Sequence, residues 1–270
     1  MKRFTILIGI LTILSLTLAA PVLAAAPSND TYAGSAPIAI GDDLIADTSE
    51  ATTDADDLEL NVPCGAPAMD ASVWYTLTAS ADGFIGVDVS QSDYSAGVFV
   101  ATGSPGSFEV LACAFGATAF EAVSGETYSI IAIDDQSDGG GNGGSLEIQV
   151  AEIPPPPDVT LTVDKAGRFN SKSGSATISG TVTCSDSPTE FTFIEVSVRQ
   201  AVGRFFIDGF GSIEGFVCDG STQRWSAEVF GQNGIFKGGK ALSVSFGVAC
   251  GQFFCGEGFV ERVVQLKGKK

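Results

Sequence analysis

Apolar positions in this chain recur at every second residue far more often than at every third or fourth. Ile85, Val87 and Val89 share one face of an extended segment, and Leu146, Ile148 and Val150 repeat the pattern. Strands are expected over 72–78, 84–89, 98–100, 128–133 and 146–150. A second series is expected over 160–163, 176–184, 194–199, 225–229, 241–246 and 260–266. Gly, Asp and Ser clusters separate these runs, as turns do in sandwiches and jelly rolls. Past the N-terminal segment, no stretch keeps a helical period. The pattern therefore predicts an all-β chain.

Four successive prolines, Pro154 to Pro157, divide the two series. Such a run holds an extended polyproline segment and cannot join a sheet ladder. It places a linker at 153–158 between two β-sandwich domains, 26–152 and 159–270. Charge divides at the same point. Residues 26–152 hold 21 acids and no Lys or Arg, whereas 153–270 hold 11 acids and 12 bases. The halves are thus near −21 and +1, and Lys2 and Arg3 bring the whole chain to −18. A chain this acidic repels phosphate backbones, so nucleic acid is not an expected partner. The chain has no His, which excludes Ser-His-Asp and Cys-His nucleophilic sites and His-ligated zinc or haem.

The N-terminus reads as an export signal over 1–25: Met1-Lys2-Arg3, an apolar run from Phe4 to Leu18, then small residues through Ala24-Ala25-Ala26. Cleavage is expected near Ala24–Ala26. No later apolar run is long enough to span a bilayer, so no transmembrane segment is expected in the mature chain. A secreted, extracellular or cell-surface protein follows. Six cysteines in an oxidising compartment default to disulfides. Pairing within domains gives Cys64 with Cys113. Among Cys184, Cys218, Cys250 and Cys255, sequence leaves the partners open, with 184–218 and 250–255 the first choice. Irregular spacing without a C-x-x-C pair argues against a thiolate zinc site.

The first half carries, in order, Asn29-Asp30-Thr31-Tyr32-Ala33, Ala36-Pro37-Ile38, Asp47-Thr48, Ala51-Thr52, Ser72-Val73-Trp74-Tyr75 and Gly83. Ser92-Asp93-Tyr94, Thr102-Gly103-Ser104, Cys113 and Gly125-Glu126-Thr127-Tyr128 follow. This order resembles the pre-peptidase C-terminal (PPC-like) domain family of secreted bacterial proteins. The resemblance implies a jelly-roll-like sandwich used in surface targeting or substrate binding, with calcium bound in some members. Ser95-Ala96-Gly97 replaces the family's usual Asp-Thr, which weakens any transfer of ligand contacts. The second half, through Gly180-Thr181-Val182-Thr183-Cys184, Val198-Arg199-Gln200, Cys218-Asp219-Gly220, Trp225 and Gly238-Gly239-Lys240-Ala241, resembles a secreted bacterial immunoglobulin-like domain of unknown function. Its closing Cys250…Cys255 pair is also similar to the chromoprotein apoproteins of the neocarzinostatin type.

Several clusters invite chemistry. Asp134, Asp135 and Asp138 with Asn142, in a Gly-rich segment, offer oxygen ligands on flexible backbone and admit Ca²⁺. Asp and Gly are equally the ordinary formers of a solvated hairpin loop. Asp54, Asp56, Asp57 and Glu59 carry the same two readings, and Asp42-Asp43 could add to either. Paired carboxylates could also hydrolyse a glycosidic bond, though nothing marks a pair. Asp47-Thr48-Ser49 is only faintly similar to an aspartic-protease triplet. Of 19 Phe, 13 lie after residue 160. Phe205, Phe206, Phe210, Phe253, Phe254 and Phe259 are read first as core residues of short strands, and second as an exposed patch that grips a partner. Trp74 and Trp225 are expected in the core, and Arg199, Arg204 and Arg224 on a solvated sheet surface. Together these point to a secreted, non-catalytic binding or cell-surface-associated protein, its ligand an envelope polysaccharide or an extracellular protein. The alternatives are a structural envelope protein without a small ligand and, last, a carboxylate hydrolase.

Overall fold

The computed structural model describes residues 25–65 and 70–268. Residues 1–24, which carry the export reading, lie outside the described residues. Among the described residues the chain is all-β apart from one helix and a single 3-10 turn.

The first half contains β1 (Ala36–Pro37), β2 (Asp43–Asp47), α1 (Ala55–Cys64), β3 (Asp70–Thr78), β4 (Gly83–Asp88) and β5 (Ala96–Thr102). It continues with β6 (Glu109–Phe115), β7 (Ala117–Ala122), β8 (Thr127–Asp134) and β9 (Ser145–Ile153). One sheet runs β1-β3-β8-β5-β6 and the other β2-β9-β4-β7. Lettering β2 to β9 as B to I gives CHEF and BIDG, the strand order of a jelly roll. Val73, Tyr75, Leu77, Ile85, Val87, Ile130, Leu146 and Ile148 fill the space between the sheets.

The larger sheet is buried on both faces. Trp74, Phe99, Ile131 and Ile133 point away from the sandwich core and are covered by Leu60 of α1, with Tyr32, Phe108 and the Cys64–Cys113 bridge packed alongside. This explains why 130–133 reads as an unbroken apolar run, the signature of a strand buried on both faces. Trp74 lies within ring-contact distance of both Tyr32 and Phe108.

The second half contains β10 (Val159–Val163), β11 (Ala166–Phe169), β12 (Ala176–Cys184), β13 (Phe191–Val202) and β14 (Phe205–Glu214). It closes with β15 (Thr222–Gly231), β16 (Gly239–Cys250) and β17 (Cys255–Gly268). A single sheet runs β10-β12-β11-β17-β16-β13-β14-β15, and a further β12–β15 pairing curls it into a barrel-like sandwich. The first strand is split: β10 pairs antiparallel with β12, and β11 crosses to pair parallel with β17. Trp225 sits in the core against Gly180, where any Cβ would collide with the Thr162 carbonyl and the indole ring. Cys184 pairs with Cys218 and Cys250 with Cys255.

Among the described residues no strand pairing joins the two halves. Their contact runs through the Cys250–Cys255 loop. Phe254 meets Phe84 of β4 edge-on at 5.2 Å, and Phe253 lies beside Gly86. These two rings, with Pro154 to Pro157 and Pro188, line a small cavity of about 250 Å³ at the junction.

Candidate functional site

The Asp-rich segment after β8 is organised by its own backbone. The Gln136 N–H donates to Asp134 Oδ1 (2.8 Å) and the Gly143 N–H to Asp134 Oδ2 (3.0 Å). Ser137 N–H donates to Asp135 Oδ1 (2.7 Å), and Gly140 N–H to Asp138 Oδ1 (2.8 Å). Asp138 Oδ2 accepts from Ser95 N–H, and the Asn142 N–H donates away to Asp70. Three of these bonds are the i to i+2 contacts by which Asp turns a chain. Asp134 and Asp135 are both buried, and Asp135 Oδ2 has no hydrogen-bond partner. Among the described residues no three His, Cys, Asp or Glu side chains come together in a way that could hold a metal ion. Asp134, Asp135, Asp138 and Asn142 are therefore neighbours in one loop, with their oxygens committed mainly to its folding.

The other acidic run is a correction. The sequence pattern shows no helix, yet Asp54 is the N-cap of α1. Its carboxylate accepts from Asp56 N–H (2.8 Å) and Asp57 N–H (3.2 Å), while Asp57 accepts from Asp54 N–H (2.6 Å), which makes a capping box. Glu59 accepts from Gly106 and Phe108 N–H and so holds the β5–β6 connection. Acids at a helix N-terminus also suit its positive end. Sequence periodicity missed α1 because its buried positions are few, Asp57 and Leu60 alone. The spacing Asp54-x-x-Asp57 was the signal available. Asp42 accepts from Ala39 N–H and Asp47 from Ser49, so these acids too serve turns.

The aromatic reading changes as well. Phe205, Phe206, Phe210 and Phe259 are exposed on the second half, against the first reading that they fill the core, whereas Phe253 and Phe254 are half-buried at the junction. Strand β16 explains part of this. Its inward residues are Ala241, Ser243, Ser245, Gly247 and Ala249, and its outward ones are Leu242, Val244, Phe246 and Val248. Ser243 and Ser245 are 0% exposed, and neither hydroxyl has a hydrogen-bond partner. The strand has its polar side in the barrel and its apolar side outward.

Cross-strand register extends that apolar side into a face. Phe246 stands beside Phe259 of β17, Leu242 beside Val263, and Val248 beside Phe193 of β13. Phe210 of β14 stands beside Ser197. A groove of about 520 Å³ crosses the face, lined by Ser197, Arg199, Asp208, Phe210, Gln232, Leu242 and Val244 among others. Arg199 Nε donates to Asp208 Oδ1 at 2.6 Å, and its guanidinium lies 5.9 Å from the Phe206 ring centre. Strands sit about 4.8 Å apart, so β14 and β17, three spacings apart, place Phe210 and Phe259 roughly 15 Å from one another. Arg199 and Arg224 lie on sheet surfaces as expected, each paired with an Asp.

Residues 157–247 match a family described as a family of unknown function, DUF6299. The match lies within the linker and second half. No curated protein matches the chain. Among solved structures, the chain is similar to Bacteroides uniformis β-glucuronidase 2 covalently bound to cyclophellitol-6-carboxylate aziridine, at 12% identity over 72% of this chain and 26% of that one, with a TM-score of 0.23. The Parabacteroides merdae β-glucuronidase gives 12% identity over 72% and 28%, with a TM-score of 0.26. A β-galacturonidase from Eisenbergiella tayi bound to glycerol gives 11% over 76% and 37%, with a TM-score of 0.25. The chain thus spans between 26% and 37% of the length of these enzymes. Scores this low give the likeness no weight for fold or activity.

Proposed function

We propose that this is a secreted, non-catalytic binding protein whose second half holds a polysaccharide on the outer face of β14, β13, β16 and β17. The reversed polarity of β16 carries the reading. Burying two unpaired serine hydroxyls costs stability, and turning Leu242, Val244 and Phe246 outward forgoes apolar burial. A strand keeps such an arrangement when its outward face is used. An open apolar face with a few polar groups suits a ligand that is itself two-sided. A sugar ring is of that kind: its C–H face packs on Phe210, Phe246 or Phe259, and its hydroxyls reach Arg199, Asp208, Ser197 and Gln232. The spread of the rings, and a groove open along the sheet, favour an extended chain over a single sugar. Three disulfides, and the absence among described residues of a helix long and apolar enough to cross a membrane, fit an extracellular setting.

The test is co-sedimentation of the oxidised full chain with insoluble peptidoglycan, cellulose and chitin. Phe210→Ser/Phe259→Ser changes two exposed rings and leaves the core intact. Capture by at least one polymer, reduced tenfold or more in the double variant, supports the reading. Failure to bind any of the three, or equal binding by the variant, counts against it.

A further inference from the structure

The second half has two unlike ends. The linker enters beside Cys184, where Val159 pairs with it, and the Cys250–Cys255 loop faces the first half at that same end. The opposite, distal end is built from the β11–β12 turn, the β13–β14 hairpin and the β15–β16 loop. These three are tied together. Phe236 N–H donates to the Gly174 carbonyl (3.0 Å), Asn233 Nδ2 donates to the Phe206 carbonyl (3.0 Å), and Asp208 N–H donates to Asn233 Oδ1 (2.9 Å). Buried Gln200 clasps Lys237 through both its backbone groups.

Cations gather at this distal end. Arg168 pairs in register with Lys267, and Lys172, Arg204, Lys237 and Lys240 occupy the surrounding turns and strand ends. All six are exposed, and neither of the two ion pairs among the described residues involves them. Of the acids nearby, Asp208 is paired with Arg199, Asp164, in one groove with Arg168 and Lys267, is paired with Arg224, and Glu228 accepts from the Ser175 hydroxyl. Apolar side chains stand among these cations. Phe205 is 75% exposed and Phe206 62%, and Ile235 of the β15–β16 loop is also exposed at this end, whereas exposed Phe230 pairs with Phe210 further along the sheet.

From this juxtaposition we propose that the distal end of the second half docks on an anionic phospholipid surface. Six free cations meet headgroup phosphates, and Phe205, Phe206 and Ile235 enter the boundary between headgroups and acyl chains. The acidic half of a second copy also offers counter-charge, so self-association is read out as a separate outcome below. A lipid interface satisfies both the cations and the rings. At physiological salt a charge is felt over only about 8 Å, so the negative net charge of the whole chain does not oppose contact at this end. The acid-only first half, at the other end of the molecule, is held away from the same surface. This contact adjoins the proposed polysaccharide face, because the Phe206 ring lies beside Arg199 on the outward side of β14, but its cations, Phe205 and Ile235 are not part of that face.

The experiment is co-sedimentation of the oxidised full chain with phosphatidylcholine vesicles, with and without phosphatidylglycerol, at physiological salt. The wild type is expected to bind the phosphatidylglycerol vesicles at least tenfold more tightly. Each cation removed near an anionic surface weakens binding roughly fivefold, so Lys172→Gln/Lys237→Gln/Lys267→Gln is expected to lose on the order of 100-fold. Phe205→Ser/Phe206→Ser, at two exposed positions, is expected to lose tenfold or more with its circular dichroism unchanged. Absence of a preference for phosphatidylglycerol overturns the proposal. Binding that needs the lysines but ignores the rings also overturns it, because a soluble polyanion would behave that way. Self-association without vesicles, abolished by the lysine variant, assigns the surface to a second copy and overturns it as well.

Discussion

The indole N–H of Trp74 donates to Asp57 Oδ1 at 2.7 Å, joining a helix cap to the face of the larger sheet in a half that contains no lysine or arginine. Asp57 is 0% exposed, so it is a buried carboxylate without a cation to offset it. Burial raises its pKa from 3.8 to about 6, against the lowering effect of its bonds to Asp54, Ser72 and Trp74. A carboxyl with a raised native pKa holds its proton longer in the folded state than in the unfolded one. Stability therefore falls as pH rises from about 4 to about 6, by roughly 3 kcal/mol in total, and this group adds no further change above that window. Asp57→Asn removes the dependence and costs one hydrogen bond, since its single amide oxygen can accept from only one of the Asp54 N–H and the Trp74 indole N–H. Urea unfolding of both proteins across pH 4 to 7 checks this. A wild-type minus variant difference that stays flat with pH contradicts it.

Calcium is not needed for the fold on this account. The carboxylates of 134–138 already bond to backbone N–H groups. A ligand bound only by the native state would add about 2.7 kcal/mol at a hundredfold excess over its dissociation constant. Melting temperature in millimolar calcium and in EDTA should agree to within about 1 °C. A rise of several degrees, lost in Asp134→Asn/Asp135→Asn, would show that the loop organises around the ion.

Ser243→Ala and Ser245→Ala each remove a buried hydroxyl without a partner. Each should stabilise the second half by about 1 kcal/mol. Chemical denaturation measures it, and a loss of stability would mean that the hydroxyls bond to buried water.

The disulfides should differ in weight. Cys64–Cys113 spans 49 residues and Cys250–Cys255 spans 5. Chain-entropy reasoning assigns about 4 kcal/mol to the first and about 2 to the second. Paired Cys→Ala variants compared by urea unfolding test that order. The short bridge is expected to matter more for how Phe253 and Phe254 are presented to β4 than for global stability.

Sequence carried the strands because alternation and turn residues are local properties: 176–184 and 146–150 could be placed from their own pattern. It also carried both tryptophans, which sit in strand-like runs and are buried. Helix α1 was hidden because one buried leucine and one buried aspartate make no periodic stripe. The outward face of β16 was hidden for a different reason. An alternating strand announces two faces but not which one is inside, and Ser243 and Ser245 occupy the face that hydrophobicity would send outward. The acidic loops were visible as composition only. Whether Asp134 accepts from its own loop or from a ligand depends on backbone directions that spacing does not encode. The basic distal end needed the topology, because Arg168, Lys172, Lys237 and Lys267 are brought together by strands far apart in the chain.

The central claim is that the outer face of β16 and its neighbours is a binding surface, and carbohydrate co-sedimentation of Phe210→Ser/Phe259→Ser beside the wild type tests it most directly. The account predicts wild-type capture on at least one of peptidoglycan, cellulose or chitin, and a loss of tenfold or more in a variant that melts at the same temperature. A wild type that stays in the supernatant with all three, or a variant captured equally well, would contradict it.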